Sequence, residues 1–303
     1  MPPVAGAANP TPTPVNTMQN VAIGQTQVNS SNLTTTLQVA TGGTIDQLFL
    51  KFPAGVTEAN IRSEMTGNIR MDFDGKEIVN CKLSRLLDLY KQLGSRVGGA
   101  TTLVAEGLPL NLGPLFFASP THKLALGLGT ADVSQISVQV DCGAIVNCTS
   151  SQIIKVSRPV NQVLGTYASI HDYLQPNYNA IGTDDVLTLP RTVNTAYLAM
   201  MVNAGSAGVI KSSEVAIGQV PLRQAVAKKT NDWLNRQYGL QTDAADAAGD
   251  GAYFTHVFNR GDLTSYLPMK NVTDLRVSAT FSTAPGAGGY CITPVVLTQF
   301  AGS

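Results

Sequence analysis

Charged side chains are scarce in this sequence. Asp, Glu, Lys and Arg make up 13% of its 303 residues, and the first of them is Asp46; a typical soluble domain carries about 25%. The 20 acidic and 20 basic residues cancel. A nucleic-acid binder needs a basic excess to displace counterions, so this balance excludes a dedicated nucleic-acid-binding role. Zero net charge also removes the repulsion that keeps copies of a protein apart, which favours a subunit of an assembly.

The sequence also lacks the signatures of common catalytic and metal sites. It contains no GxSxG, HExxH or GxxxxGK motif. Its three histidines are dispersed: His122, His171 and His256. Its four cysteines include no CxxC pair: Cys81, Cys142, Cys148 and Cys291. We expect buried free thiols, with one disulfide or a metal site as the alternatives. We predict no enzymatic activity and assign no catalytic, cofactor-binding or metal-binding residue.

Long apolar runs are missing as well. No stretch approaches 18 apolar residues, so we expect no transmembrane helix, and the N-terminus has neither the basic nor the apolar region of a signal peptide. Residues 1–20 are instead an uncharged arm rich in Pro, Ala and Thr. Proline removes amide donors and blocks helix formation. We expect an extended arm that lies against this subunit or a neighbour, and a disordered leader is the alternative.

Two groups of acidic residues could bind calcium, which takes six to eight oxygen ligands and often finds them in loops. The groups are Asp72, Asp74 and Glu77, and Asp243, Asp246 and Asp250. Neither has the spacing of an EF-hand, and carboxylates around turns mostly face water. We expect no cofactor, and a structural calcium ion is the open alternative.

Short strand patterns separated by Gly and Pro turns dominate the rest of the chain. Residues 69–73 alternate between apolar and charged side chains, which indicates a strand with one buried face. The Asp74-Gly75 pair that follows is typical of a hairpin turn, because type I′ turns need positive φ at both central residues. Turns recurring every 8–12 residues predict an antiparallel β-sandwich or barrel.

Two stretches look like copies of one another. Gly67–Gly94 reads as strand, turn, strand and helix, and Gly208–Gly239 repeats this order around a turn at Gly218. Each ends in a glycine suited to the left-handed position after a helix. The two closing glycines lie 145 residues apart, close to half the chain. This repetition predicts two related sandwiches in tandem.

Each copy ends in a predicted amphipathic helix. We expect Asn80 to cap the first helix and Pro221 to occupy the first position of the second. The predicted buried stripe of the first helix is Leu83, Leu86, Leu87, Tyr90 and Leu93. The predicted buried stripe of the second is Leu222, Ala225, Val226, Trp233 and Leu234.

These elements define the predicted architecture: an all-β, mainly antiparallel fold of two tandem jelly-roll β-sandwiches, each with one inserted helix. We divide the chain into an N-terminal arm (1–20), a first jelly roll (21–158) and a second jelly roll (159–303). The linker between the rolls is placed at 158–161, where Arg-Pro-Val-Asn interrupts the strand pattern.

The two modules Gly67–Gly94 and Gly208–Gly239, the junction at Pro159, the uncharged arm and the neutral charge resemble a known family. The chain is similar to the double jelly-roll major capsid proteins of small tailless icosahedral phages with an internal membrane, the corticovirus-like and finnlakevirus-like group. The resemblance is architectural and spans about residues 21–300. It implies a major capsid protein that trimerises into pseudo-hexameric capsomers and builds an icosahedral shell over a membrane.

The resemblance also implies partners and a location. The partners are further copies of the chain in the trimer and in neighbouring capsomers, vertex or minor capsid proteins and the internal viral membrane, with no sequence-specific nucleic acid. The location is the virion capsid, after assembly in the host cytoplasm. The family brings no catalytic residues with it.

Other functions remain open at this point. A β-sandwich virion protein that binds a carbohydrate or a receptor would use the aromatic loop Tyr167–Tyr178. Such a module is expected to carry several tryptophans, whereas Trp233 is the only one. A single-roll capsid protein with a projecting domain differs only in whether the two halves share a fold.

Overall fold

The computed structural model describes residues 19–27, 34–39, 41–93, 107–111, 127–160, 162–205, 209–237, 252–258 and 266–298. Most of the predicted arm lies outside these residues. The strands of the first half are β1 (Gln19–Gln27), β2 (Thr34–Val39), β3 (Thr44–Lys51), β4 (Asn68–Phe73), β5 (Lys76–Lys82), β6 (Gly107–Asn111), β7 (Leu128–Gly129), β8 (Ile136–Asp141) and β9 (Ser150–Arg158).

The strands of the second half are β10 (Tyr167–His171), β11 (Tyr173–Gln175), β12 (Gly182–Val186), β13 (Thr195–Asn203), β14 (Ile210–Ile217), β15 (Val220–Ala227), β16 (Tyr253–Val257), β17 (Leu267–Pro268), β18 (Leu275–Phe281) and β19 (Tyr290–Thr298). The described helices are α1 (Glu58–Glu64), α2 (Leu83–Leu93) and α3 (Lys228–Arg236). Within the described residues, no helix is long and apolar enough to cross a membrane.

The first sandwich is formed by two antiparallel sheets. One has the order β1-β9-β3-β6, with β7 beside β3, and the other has the order β5-β4-β8-β2. Alternating residues of both sheets, such as Leu48 of β3 and Met71 of β4, are fully buried in one core. The alternation of buried and wetter residues along β4 and β8 is what the sequence predicted for a strand with one face in a core.

The second sandwich repeats the first strand for strand. Its outer sheet has the order β15-β14-β18-β12, and its inner sheet has the order β10-β19-β13-β16, with β11 beside β19 and β17 beside β13. Each of β2 to β9 thus has an equivalent among β12 to β19, and β1 corresponds to β10 and β11 together. The predicted pair of tandem jelly rolls is confirmed. A single roll with an unrelated projecting domain is not what the chain forms.

The two sandwiches share one sheet. β10 pairs with β5 in parallel, with Ile170 opposite Val79 and His171 opposite Asn80, and this pairing produces a continuous ten-stranded sheet. Because the two strands are parallel, both rolls point the same way. The connections that hold α1, α2 and α3 are therefore at one end of the molecule, and β1 begins and β9 and β19 finish at the opposite end. The division of the chain at residues 158 and 159 stays a prediction.

The first predicted module is confirmed except for its cap. Asp74 and Gly75 have φ of 48° and 79° at the β4–β5 turn, and the predicted stripe of α2 is buried throughout. Asn80 does not cap this helix, because β5 continues to Lys82 and the Asn80 side chain accepts a hydrogen bond from Asn68 across the hairpin. The closing glycine of the module lies outside the described residues.

The second predicted helix is wrong in its start and in its buried face. Residues 220–227 form β15, which pairs with β14, and α3 begins only at Lys228. Pro221 therefore lies in an edge strand, a position where its missing N–H is tolerated. Trp233 is 59% exposed and Leu222 is 40% exposed. The buried residues of α3 are polar: Lys228, Asn231, Asp232 and Asn235.

Hydrogen bonds explain this polar buried face. The side-chain amides of Asn231 and Asn235 both donate to the Thr255 carbonyl oxygen of β16, at 3.0 and 2.8 Å. The Lys228 ammonium donates to Asp232 one turn later at 2.5 Å. α3 is thus held against β16 by hydrogen bonds from polar side chains, whereas α2 is held by the packing of buried leucines.

A short helix that the sequence reading missed precedes β4. Thr57 caps α1, with its backbone N–H donating to the Asn60 side chain at 2.9 Å and its hydroxyl accepting from the Asn60 N–H at 3.3 Å. At its other end the Glu64 carboxylate accepts hydrogen bonds from the backbone N–H groups of Val146, Asn147 and Cys148 at 2.8–3.1 Å. α1 therefore anchors the 142–149 connection between β8 and β9.

Candidate assembly surfaces

The junction between the rolls is built around one buried carboxylate. Asp172, between β10 and β11, accepts hydrogen bonds from the Arg85 guanidinium at 2.7 Å, the Lys82 backbone N–H at 2.8 Å and the Thr293 hydroxyl at 2.6 Å. Its side chain is only 6% exposed. Because the donors come from β5, α2 and β19, this single residue fixes the first roll to the second.

Two further polar pairs cross the junction. The Asn203 amide donates to the Asp88 carboxylate at 3.2 Å, and Asp88 also pairs with Arg62 at 2.7 Å. Glu77 lies 3.4 Å from His171 Nδ1. Burial is the main influence on the pKa of His171 and lowers it, although Glu77 opposes the change.

A cavity of about 360 Å³ lies beside these pairs. Its charged lining includes Arg62, Arg85 and Asp88, which already form the ion pairs of the junction. We therefore regard this cavity as part of the junction.

Apolar residues complete the junction. Strands β13 and β19 are buried on both faces. One face lines the core of the second roll, and the other, which includes Ala199, Met201, Val295 and Leu297, belongs to the core of the first roll. The first core thus extends across the junction and includes one face of two strands of the second roll.

The equivalents of the junction strands are free. β5 and β10 meet inside the chain, whereas β15, the equivalent of β5, and β1, the equivalent of β10, are both edge strands in the described part of the chain. Val220 and Leu222 of β15 are 63% and 40% exposed, and Trp233 of the adjacent α3 is 59% exposed. Solvent-exposed strand edges and large apolar side chains are typical of surfaces that another chain covers.

The aromatic loop Tyr167–Tyr178 does not form an open stacking platform. Tyr167 is buried in the sheet, and the Tyr178 ring lies against Phe281 and Tyr290 with centroids 5.3 and 5.9 Å apart. The Tyr167 ring belongs to the core of the first roll, and the rings of Tyr173 and Tyr178 pack against the core of the second. The surface on which the carbohydrate-binding alternative depended is therefore not present in this loop.

The first acidic group is occupied by local hydrogen bonds. Asp72 accepts from the Gly75 N–H at 2.6 Å, and Asp74 accepts from the N–H groups of Ser134 and Gln135 at 2.8 and 2.7 Å. The second group, Asp243, Asp246 and Asp250, lies outside the described residues. Among those that are described, no three His, Cys, Asp or Glu residues are placed to bind a metal ion. The absence of a cofactor and the alternative of a structural calcium ion both stay predictions.

The histidines do not come together in the described structure. His171 lies at the junction, and His256 is buried in the second roll, where Nε2 lies 2.9 Å from the Ser213 hydroxyl. Burial, aided by Arg223, lowers the pKa of His256 to about 3. His122 lies outside the described residues.

The prediction of free thiols is confirmed: all four cysteines are unpaired, and three of them are buried. Burial raises the pKa of Cys148 and of Cys291 to about 12 and that of Cys142 to about 11, which keeps these thiols protonated.

Comparison with known proteins agrees with this architecture. Residues 12–157 match the family described as viral coat protein P2 N-terminal domain. The fold is similar to that of the major capsid protein P2 from bacteriophage PM2, with a TM-score of 0.73, 17% identity, and coverage of 93% of this chain and 97% of that one. No curated protein sequence matches the chain.

Two further solved structures share the fold at lower identity. The STIV MCP matches with a TM-score of 0.63 and 10% identity, over 93% of this chain and 97% of that one. The PBCV-1 virus capsid matches with a TM-score of 0.58 and 8% identity, over 93% of this chain and 92% of that one. The resemblance to double jelly-roll capsid proteins is confirmed.

Proposed function

We propose that the chain is a structural capsid protein and that three copies of it close into a pseudo-hexameric capsomer; the match of residues 12–157 to the viral coat protein P2 N-terminal domain family supports the capsid role. One observation carries the proposal. Among the described strands, the pair that joins the two rolls inside the chain has equivalents that lie at sheet edges, β15 at one side and β1 at the other. A surface on the second roll therefore corresponds to one that already fits a neighbouring roll.

Contacts of this kind are head-to-tail, and head-to-tail contacts form a closed ring when the rotation between successive units closes. Each copy supplies two rolls, so three copies supply six. Within such a ring every roll would meet its neighbours through related surfaces, which supports a trimer with a pseudo-sixfold outline. Capsomers of this shape would then adjoin one another and the vertex or minor capsid proteins in an icosahedral shell.

The common orientation of the rolls supports a direction for the subunit in the shell. The helix-bearing connections lie at one end, and β1, which includes the last two residues of the predicted arm (1–20), begins at the other. We place the arm end toward the internal membrane and the helix end outward. Assembly in the host cytoplasm belongs to the same proposal.

The mass of the purified native protein tests the trimer directly. Light scattering should give about three times 31.9 kDa, and the value should hold over a dilution series until the trimer dissociates. A mass that stays at that of one chain at every concentration would refute self-association, and exposed loops of a monomeric binding protein would become the place to search.

A further inference from the structure

Because the two rolls repeat the same fold, each residue of the two exposed surfaces, at β15 and at β1, can be aligned with its equivalent in the junction. β3 and β13 each carry one extra residue at the same place against β9 and β19, between Ile45 and Gln47 and between Tyr197 and Ala199. With these bulges aligned, the core-facing and outward-facing residues of the two sheets also agree. Lys51 at the end of β3 then takes the place of Asn203 at the end of β13.

The second side of the contact aligns equally well. The turns match, because the Asp74 N–H donates to Gln135 and the Gly218 N–H donates to Asp274, and Lys82 and Ala227 hold matching positions at the ends of β5 and β15. The two helices that follow bury the same face. α3 buries the positions that correspond to the following residues of α2: Leu83, Leu86, Leu87 and Tyr90.

The central ion pair of the junction has an uncharged counterpart. Arg85 of α2 corresponds to Thr230 of α3, and Asp172, which lies between β10 and β11, corresponds to Ala22 of β1. Both members of the ion pair are therefore replaced by uncharged residues in the corresponding surfaces. A change on one side only would leave a buried charge unpaired when the surfaces meet, which strongly destabilises a contact.

The second pair changes in the same way. Glu77 corresponds to Pro221, and His171 corresponds to Val21. Again both members are replaced by uncharged residues. In both pairs the two partners are replaced together, and this is expected of surfaces that contact each other.

The face of the helix that crosses the junction differs most between α2 and its counterpart α3. On α2 this face contains Asp88, which accepts from Asn203, and Leu89, which is fully buried. Their counterparts on α3 are Trp233, which is 59% exposed, and Leu234, which is half-buried. A tryptophan this open, beside a strand edge, is typical of the apolar anchor of an interface.

The surface that this helix would cover is also available. In the second roll the outward face of β13 is fully buried by the junction, including Met201. Its counterpart on β3 consists of residues that are only half-buried, Gln47, Phe49 and Lys51. Phe49 lies opposite Ile154 of β9, which is half-buried too.

We propose that copies of the chain contact each other through a version of the junction that lacks its two charged pairs, with α3 of one copy against the outward face of β3 and β9 of the next. Trp233 lies over Phe49 and beside Lys51, whose ammonium can sit on the indole face. The proposal rests on the self-association put forward above and names its residues. Since no pair of opposite charges holds this contact, its strength should not fall when salt is raised to about 1 M, unlike that of an ion-paired surface.

The test exchanges the proposed contact for a repulsive one and then repairs it. Trp233→Lys places an ammonium opposite Lys51 and should raise the dissociation concentration about 30-fold or more per contact, as expected for the loss of an interface hot spot. Adding Lys51→Glu to the same chain supplies an opposite charge and should restore the trimer. Ile181→Lys is the matched control, because Ile181 is 71% exposed and precedes β12, the opposite edge of the same sheet.

The readout is mass by light scattering over a dilution series, with circular dichroism to show that each variant is folded. Dissociation by Trp233→Lys, recovery in the double variant and a trimeric control support the contact. A trimeric wild type whose dissociation is unchanged by Trp233→Lys overturns the contact and leaves the proposed function standing. A monomeric wild type overturns both.

Discussion

Replacing Glu64 by glutamine should release the connection between β8 and β9. The carboxylate is 5% exposed and accepts from three backbone N–H groups and from the Asn147 side-chain amide, the last at 2.6 Å. Glutamine has the same shape but offers an N–H₂ group where one carboxylate oxygen accepted. If the amide group takes the place of Oε1, the Asn147 side-chain amide loses its acceptor, and if it takes the place of Oε2, the N–H groups of Val146 and Cys148 lose theirs. Each donor left without an acceptor costs about 1–3 kcal/mol. The expected cost is about 2 kcal/mol, because the side chain takes the orientation that leaves one donor without an acceptor.

Hydrogen exchange of the 143–149 segment measures this cost locally. A loss of about 2 kcal/mol lowers the protection of its amides about 30-fold. Glu58→Gln is the matched control, because Glu58 lies on the same helix but its ion pairs with Arg62 and Lys91 are partly exposed. Pairs of that kind contribute about 0.2–1 kcal/mol. Equal protection in wild type and the Glu64 variant would refute the anchoring role of α1.

The pH dependence provides an independent check. Burial alone would raise the pKa of Glu64, but the hydrogen bonds from Cys148, Asn147 and Val146 outweigh it and lower the pKa to about 2, from an ordinary 4.5. A carboxyl whose pKa is lower in the folded state stabilises fully above pH 4.5 and loses this contribution as the pH falls toward 2. Protection of the wild-type segment, corrected for intrinsic exchange, should fall in that window, and the glutamine variant should lack this fall. A flat wild-type profile would contradict the assignment.

Three further substitutions test the core, the junction and a turn. Leu87→Asp places an unpaired charge at a residue that is 2% exposed and should abolish soluble trimers; normal assembly would mean that α2 is not buried. Asp172→Asn should lower the urea midpoint by an amount that corresponds to about 2–3 kcal/mol, because a buried ion pair is broken, whereas Glu77→Gln at the rim should change it by under about 1 kcal/mol. Gly289→Ala should destabilise the fold by at least about 1–3 kcal/mol, because its φ is 63° and an added Cβ would lie 1.9 Å from a backbone oxygen; Gly288→Ala, with open space around it, is the control, and equal thermal midpoints would refute the clash.

The elements that the sequence predicted correctly are those with a local signal. The Asp74-Gly75 turn needs a conformation that few residue pairs accept. The spacing of the five apolar residues of α2 fits a helix and does not fit the alternation of a β-strand. α1 had a signal too, in Thr57 and Asn60, but seven residues are too few for a stripe to stand out.

The second helix was misread because its apolar residues suit two structures. Leu222, Ala225 and Val226 fit a helical stripe, yet β14 offers them a strand partner, and tertiary pairing overrides such weak preferences. The sequence also could not show that α3 buries asparagines. That arrangement depends on the Thr255 carbonyl oxygen, which lies 20 or more residues away.

The junction had no local signal at all. Asp172 receives its bonds from residues 87 to 121 positions distant, and the parallel pairing of β5 with β10 follows from how two complete sandwiches dock. Aromatic residues of 167–178 were noticed in the sequence for their rings, but the functional residue in that stretch is the carboxylate between them.

The fusion of two rolls into one chain has an evolutionary consequence. A protein with a single roll must use one and the same pair of surfaces for every contact around a ring, so each mutation is repeated at all six positions. Here the contact inside the chain and the proposed contact between chains are encoded by different codons. The first could acquire a buried aspartate that locks the halves permanently, while the second kept residues that can meet and separate during assembly. Duplication thus allowed selection to act separately on the rigidity of the subunit and on the reversibility of its association.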